Sequence, residues 1–336
     1  MSFFYKADRI SLWLLKFRLY EIVEKYIGRP ISLIVIGGGR IADSGTDTNS
    51  HIPISLINNY SLQGILEPDF HRAKELEERY ACEIWGGLES LTPSLKPDLI
   101  VISSPSGTHL HYLIELSSIF PFASFLVEKP LTFSSSEVIK AKEILPTLVQ
   151  SVRVNYSRNY SDDFYKLRYL LKDEVISYAE VIFSGGLLNS GSHFLRLLSG
   201  LFKFNLVVEE QFVASSASST NFTLRDTASG AIIKFKENEF HDLHFGEIFV
   251  ITNKYYLRIN EGSFFTLYRR DKINGRKWPR NLEVDCSGNF NDGFKNNYEK
   301  KEWLSFSNHG ENHENLLLDL KVEGLIHKIL DILSIR

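Results

Sequence analysis

The sequence predicts an α/β protein in two parts: a doubly wound parallel sheet, then an α+β domain built on one mostly antiparallel sheet. Three observations lead there. Short apolar runs alternate with helical segments from residue 31 to about residue 150, the pattern of strand–helix–strand crossovers. From residue 205 onward β-rich stretches crowd together with few helices between them. The length of 336 residues is enough for two cores. The expected division is an N-terminal extension over 1–30, a parallel α/β domain over 31–150 and an α+β domain over 151–336.

Residues 5–27 place Ile10, Trp13, Leu14, Phe17, Leu19, Tyr20 and Val23 at helical spacing, and Gly28 with Pro30 stops the run. An amphipathic helix is expected there, docked on the next domain or making an oligomer contact. Ile31–Ile36 is an apolar run ending in glycines, as in a buried parallel strand. Similar runs recur at 62–66, 99–103, 125–127 and 151–154, with helical segments at 69–80, 108–119 and 134–145. The second half reads as a helix at 160–172, a strand at 175–183 and a helix at 189–201. β-rich stretches follow at 205–214, 221–226, 230–236, 246–252 and 255–259, and a helix closes the chain at 313–334.

Composition narrows the function. Lys and Arg total 38 against 41 Asp and Glu, a net charge of −3. Such balance offers no global field for nucleic acid or an anionic membrane, so neither is an expected partner. The two cysteines, Cys82 and Cys286, form no Cys-x-x-Cys pair. A disulfide framework and a thiolate metal site are excluded, and a reducing, cytoplasmic setting is expected. No apolar run reaches the ~18 residues of a membrane span. Lys6, Asp8, Arg9, Lys16 and Arg18 break up the apolar N-terminus, unlike a secretory signal.

Gly37-Gly38-Gly39-Arg40-Ile41-Ala42 fits G-x-G-x-x-A directly after the first strand. The first glycine makes a tight turn, the next lets the backbone approach a pyrophosphate, and Ala42 allows close helix–strand packing. Residues 44–50 would break the first helix after one turn, and a second helical segment near 53–58 would complete the crossover. An anion site at a helix start needs only that first turn. Glu67 follows the second strand, where a carboxylate accepts from ribose hydroxyls and repels a 2′-phosphate. Arg72 is the nearby group that could take such a phosphate. NAD is therefore the expected cofactor, with NADP left open.

Two further turns fall at carboxyl ends of parallel strands, where open α/β sheets bind ligands. One is Ser103-Ser104-Pro105-Ser106-Gly107-Thr108-His109; the other is Glu128-Lys129-Pro130. Ser104, Pro105, Ser106, His109, Glu128 and Lys129 thus join Gly37, Gly38, Gly39, Arg40, Ile41, Glu67 and Arg72 as candidate cofactor contacts. Later comes Gly185-Gly186-Leu187-Leu188-Asn189-Ser190-Gly191-Ser192-His193, in which Asn189 and His193 would share one helical face.

These motifs, in this order, resemble the Gfo/Idh/MocA family, named for glucose–fructose oxidoreductase and inositol dehydrogenase. The resemblance covers about residues 31–201 by motif and the later half by element order. It implies a Rossmann domain with a large open sheet, and NAD(P)-dependent hydride transfer, mostly on sugars, cyclitols and their derivatives. It also implies that Lys129 and His193 flank the substrate carbon, and that Arg153, Asn155 and Arg158 lie where the family lines its cleft. The residue types suit that chemistry. A histidine can take a hydroxyl proton near neutral pH, and a lysine can hold the developing alkoxide.

The chain departs from the family at two places. Asn189 stands where an aspartate is usual, and Arg196 stands where another is frequent. Asn189 can still hydrogen-bond, but the loss of charge should lower the histidine pKa. Arg196 either reads an anionic substrate group or forms an interdomain ion pair.

The preferred substrate is sugar-like, with a nucleotide sugar of surface-glycan synthesis as the favoured class, handled by a homodimer or homotetramer formed through the C-terminal sheet. The alternatives are a dinucleotide-binding protein without turnover, such as a sensor or complex subunit, and an imine or tetrapyrrole reductase. The basic stretch 268–281 reads as a solvated loop or a clamp on a substrate diphosphate. His241 with His244, and His309 with His313, have metal-like spacing but no third ligand, so no metal is expected.

Overall fold

The first β-strand, β1 (Ile31–Ile36), is buried along its whole length, as a strand covered on both faces must be. A computed structural model describes residues 29–44, 50–148, 151–209, 214–215, 220–238, 246–270, 282–304 and 309–335. The expected N-terminal helix, the His241/His244 pair and most of the basic stretch lie outside the described residues.

After β1 the chain runs through α1 (His51–Ile57), β2 (Tyr60–Leu66), α2 (Phe70–Tyr80), β3 (Glu83–Trp85), β4 (Leu99–Ile102), α3 (His109–Ile119), β5 (Ser124–Val127), α4 (Ser135–Ile144) and β6 (Val152–Val154). The six strands form one parallel sheet in the order β3-β2-β1-β4-β5-β6. Two apolar clusters cover its faces. β6 pairs with β5, so the parallel unit extends to Val154, past the expected boundary at 150. The short strand β3 is an addition to the expected set.

The second unit begins with α5 (Asp162–Leu171), β7 (Ile176–Phe183), a π-turn over Leu187–Gly191 and α6 (Ser192–Leu201). Then follow β8 (Leu206–Val208), β9 (Ala214–Ser215), β10 (Thr220–Asp226), β11 (Ile232–Glu237), β12 (Gly246–Thr252), β13 (Tyr255–Asn260), β14 (Phe264–Arg270) and β15 (Leu282–Asn289). Eight of the nine strands lie in the order β15-β14-β13-β12-β7-β11-β10-β8, and β9 pairs with β10. Only β7 and β11 run parallel. The strands alternate: in β7 from Tyr178 on, Ala179, Val181 and Phe183 are buried, whereas Tyr178, Glu180 and Ile182 are partly exposed. The buried face packs on α5, α6 and the last helix.

Two helices close the chain. α7 (Gly293–Glu299), not expected from the sequence, returns to α1 on the parallel sheet. α8 (His309–Ile335) packs on α4, α6 and β6, and so touches both units. Among the described residues no helix is long and apolar enough to cross a membrane.

Candidate active site

The glycine turn is forced by close approach. Gly37 has φ +88°, and a Cβ there would lie 2.6 Å from the backbone of Ser104. Only glycine lets the β1 and β4 loops meet this closely. The Gly38 N–H donates to Glu67 Oε2 at 2.7 Å, and Asp69 N–H donates to Oε1 at 2.9 Å. Glu67 is thereby held against the glycine loop. A Cβ on Gly38 would collide with Leu76 at 2.3 Å, whereas Gly39 faces open space. Arg40 and Ile41 are exposed at the rim. Ala42 and Asp43 N–H groups both return to the Gly39 carbonyl, so a single turn forms before α1 begins. This cradle, with its adjacent acid, fits a dinucleotide.

The second half of the site forms where the two units meet. Lys129, at the end of β5, donates from Nζ to Asn189 Oδ1 at 2.6 Å and to the Asn189 carbonyl at 3.1 Å. Asn189 lies in the π-turn, one turn ahead of His193 on α6. Asn189 therefore serves the lysine. The His193 ring packs edge-on against Tyr156, with centroids 5.6 Å apart. Burial, then the charges of Arg158 and Lys129, hold its pKa well below 6.5. Burial also lowers the Lys129 ammonium; Glu128 offsets part of this and Arg158 adds to it.

Residues 31–156 match the family model Gfo/Idh/MocA, an oxidoreductase family with an NAD-binding Rossmann fold. Over these residues the chain is similar to the Gfo/Idh/MocA family. An inositol 2-dehydrogenase of Leifsonia xyli is 25% identical over 137 residues, 40% of this chain and 40% of that relative. A dehydrogenase of Clostridium difficile has the same fold at 15% identity and a TM-score of 0.67, covering 90% of this chain and 99% of that one. The WlbA dehydrogenase of Bordetella pertussis, solved with NADH and UDP-GlcNAcA, covers 89% of this chain and 95% of its own at 14% identity and a TM-score of 0.66.

Within this domain several candidate residues hold the site rather than face it. Arg72 donates to the Gly38 carbonyl at 2.7 Å, to the Asp43 carbonyl at 2.9 Å and to the Asp43 and Glu75 carboxylates. Its donors brace the glycine loop and are not turned to a 2′-phosphate. His109, 2% exposed, places its two ring nitrogens 2.7 Å from the carbonyls of Ser104 and Pro130. It ties the two strand-end loops together. Ser104 Oγ bonds Thr108, while Pro105 is exposed and Ser106 partly so at the loop tip.

Glu128 and Asn155 point inward. The Glu128 carboxylate meets His51 Nε2 at 2.9 Å and Asn155 Nδ2 at 2.5 Å. Burial pushes this carboxyl up, but His51, Asn155 and Lys129 together hold it below the usual range. Asn155 accepts in turn from Asn297 of α7. Arg153 is sandwiched between Tyr160 and Trp303, 4.2 and 4.4 Å from their centroids, and donates to Asn297. Arg196 is 1% exposed and paired with Asp319 of α8, so it forms the internal ion pair and does not reach the cleft. Arg158 alone of the four substrate candidates stays beside Lys129 and His193.

One support is missing from the motif reading. Glu323 of α8 accepts from the N–H groups of Leu131 and Thr132, each at 2.8 Å, and from the Thr132 hydroxyl at 2.5 Å. It also takes the Tyr156 hydroxyl at 3.3 Å. It thus fixes the loop after Lys129 and the ring behind His193. Asp319, Glu323 and His327 recur every fourth residue on α8 and are buried among Leu316, Leu320 and Ile326. That stripe of polar residues was the available signal.

Proposed function

We propose that the chain is an NAD(P)-dependent oxidoreductase that moves a hydride between nicotinamide and a secondary alcohol or ketone of a sugar-like substrate. The carrying observation is that Lys129, at the strand ends that also hold the glycine cradle, bonds Asn189 of the second unit, one turn ahead of His193. The nicotinamide, when bound, supplies the hydride-accepting carbon. Lys129 Nζ gives a charged hydrogen bond to the substrate oxygen as it gains negative charge. His193 is neutral at physiological pH and takes the hydroxyl proton; in reduction it returns it. Asn189 aims the lysine without neutralising it. Glu67 and the engaged Arg72 support NAD over NADP.

A nucleotide sugar is the favoured substrate class, in line with the ligand of the Bordetella relative. The partly exposed face of the large sheet carries Ile182, Phe249, Ile251, Tyr256 and Tyr268, an apolar surface suited to a second copy of the chain. A second reading, cofactor binding without turnover, rests on the missing carboxylate at Asn189. One experiment separates the two. NAD and NADP reduction is followed against cyclitols, free sugars and nucleotide sugars, with cofactor affinity measured by fluorescence. Turnover abolished by Lys129→Ala supports the enzyme; tight NADH binding with no turnover on the whole panel supports the alternative.

A further inference from the structure

Two hydrogen-bonded paths run inward from neighbouring residues of α7 and end on one atom, Glu128 Oε1. On the first, the Tyr298 hydroxyl lies 2.5 Å from His51 Nδ1, and His51 Nε2 lies 2.9 Å from Glu128 Oε1. On the second, Asn297 Nδ2 donates to Asn155 Oδ1 at 2.9 Å, and Asn155 Nδ2 donates to Glu128 Oε1 at 2.5 Å. His51 and Tyr298 are fully buried, and Phe294 covers the His51 ring with centroids 5.0 Å apart. The His51 and Ile52 N–H groups donate to the carbonyls of Ile41 and Ala42, at 3.0 and 2.9 Å. The ring is thus placed by the turn that follows the glycine cradle.

The direction of the first path follows from its end. A carboxylate can only accept, so the bond to Glu128 requires a proton on Nε2. In the neutral ring Nδ1 is then an acceptor, and the Tyr298 hydroxyl donates to it. Burial, then Tyr60 and Glu128, push this phenol well above its usual pKa, so its proton stays in place. The second path also ends on a donor, the Asn155 amide. Two donors on one oxygen favour the ionised carboxyl. Apolar side chains of the same volume would avoid desolvating a charge, so the carboxylate is a liability to the fold unless its charge is used.

The place to use it is one residue away. Glu128 turns inward, whereas Lys129 turns across the cleft to Asn189. Lys129 is faced by Glu128, Arg158 and the neutral His193; burial and Arg158 disfavour its charge, and Glu128 favours it.

We propose that Asn297 and Tyr298 of α7, acting through Asn155 and His51, hold Glu128 as a fixed counter-charge that keeps Lys129 an ammonium while its Nζ stays available to the substrate oxygen. This rests on the dehydrogenase reading above. All five are positioning residues, acting on the reaction only through Lys129.

The test needs no substrate. Competitive acetylation of the whole protein with acetic anhydride, read at Lys129 by mass spectrometry across a pH series, reports the proton affinity of that amine. Glu128→Gln keeps an oxygen for both donors and removes the charge, so the Lys129 pKa should fall by about one unit, a tenfold weaker hold on the proton. Ring 15N shifts, assigned with His51→Gln, should show His51 neutral with its proton on Nε2 in the wild type. His51→Leu takes a donor from a buried carboxylate. At acid pH its infrared spectrum should gain a carboxylic-acid band that is missing from His51→Gln, which restores an N–H, and from the double variant with Glu128→Gln. The acid bands of Asp319 and Glu323 are common to all these proteins and cancel. An unchanged Lys129 pKa in folded Glu128→Gln overturns the proposal. So does a His51 ring protonated on Nδ1 in the wild type, which needs no variant to fold, or a folded His51→Leu without the new band. Turnover on the sugar panel keeps the two readings apart. A Lys129 pKa that falls in Glu128→Gln, with no turnover by the wild type, sinks the dehydrogenase reading alone. Wild-type turnover with an unmoved Lys129 pKa sinks this inference alone.

Discussion

Replacing Glu323 by glutamine tests whether α8 holds the lysine loop with a desolvated carboxyl. Burial pushes this carboxyl up from 4.5 to about 7; the Leu131 and Thr132 donors offset part of the rise, and Asp319 adds to it. The sign follows directly. Below pH 4.5 the group is neutral in both folded and unfolded chains, and its full stability is present. As pH rises the unfolded chain ionises first, and stability falls until the folded carboxyl also ionises near pH 7. The gap between 4.5 and about 7 corresponds to about 3 kcal/mol. For a chain of this length that is about 5 °C in melting temperature. The amide of Glu323→Gln cannot ionise, and about 2.5 kcal/mol of the loss falls between pH 5 and pH 8, so the variant should gain about 4 °C on the wild type over that window, whatever its offset at pH 5. Thermal unfolding of both proteins in a common buffer series measures the difference and cancels groups they share. A gap that stays constant with pH would refute the reasoning: the carboxyl would then ionise at its ordinary pKa, and the loop would not rest on a desolvated acid.

Lys129→Ala should leave NADH affinity near wild type and lower kcat/KM more than a hundredfold, a loss of about 3 kcal/mol of transition-state stabilisation; turnover within tenfold would remove the lysine from the chemistry. Asn189→Asp places a negative charge beside Lys129 and one turn from His193, which favours their protonated forms and should move the acidic limb of the oxidative pH–rate profile upward by about one pH unit. A limb that stays in place would show that His193 is not the proton acceptor. Gly37→Ala forces a Cβ to within 2.6 Å of the Ser104 backbone at φ +88°; it should destabilise the fold by about 2 kcal/mol or more and weaken NADH binding at least tenfold, read by melting and by fluorescence titration.

The sequence by itself determined the parallel half of the fold and the landmarks of the site. An apolar run such as Ile31–Ile36 is buried on both faces wherever it lies, and the glycines after it permit a turn closed to other residues. Both are local properties of backbone and side chain, so period and spacing reveal them. The alternation of strands such as β12 and β13 is local in the same sense. Glu83–Trp85 is too short to show a period, and β14, β15 and α7 become ordered only against neighbours already in place. What each polar side chain does was decided by tertiary structure alone. Glu128 and Asn155 sit in the expected motifs, yet they face His51 and Asn297, which arrive from α1 and from α7, 142 residues further along the chain. Arg196 looked like a reader of anions until Asp319, 123 residues away, claimed it. A buried charge or amide must find a partner wherever packing supplies one, and that partner depends on which distant helix covers it. For Arg158 the described packing supplies a backbone carbonyl, that of Gly262.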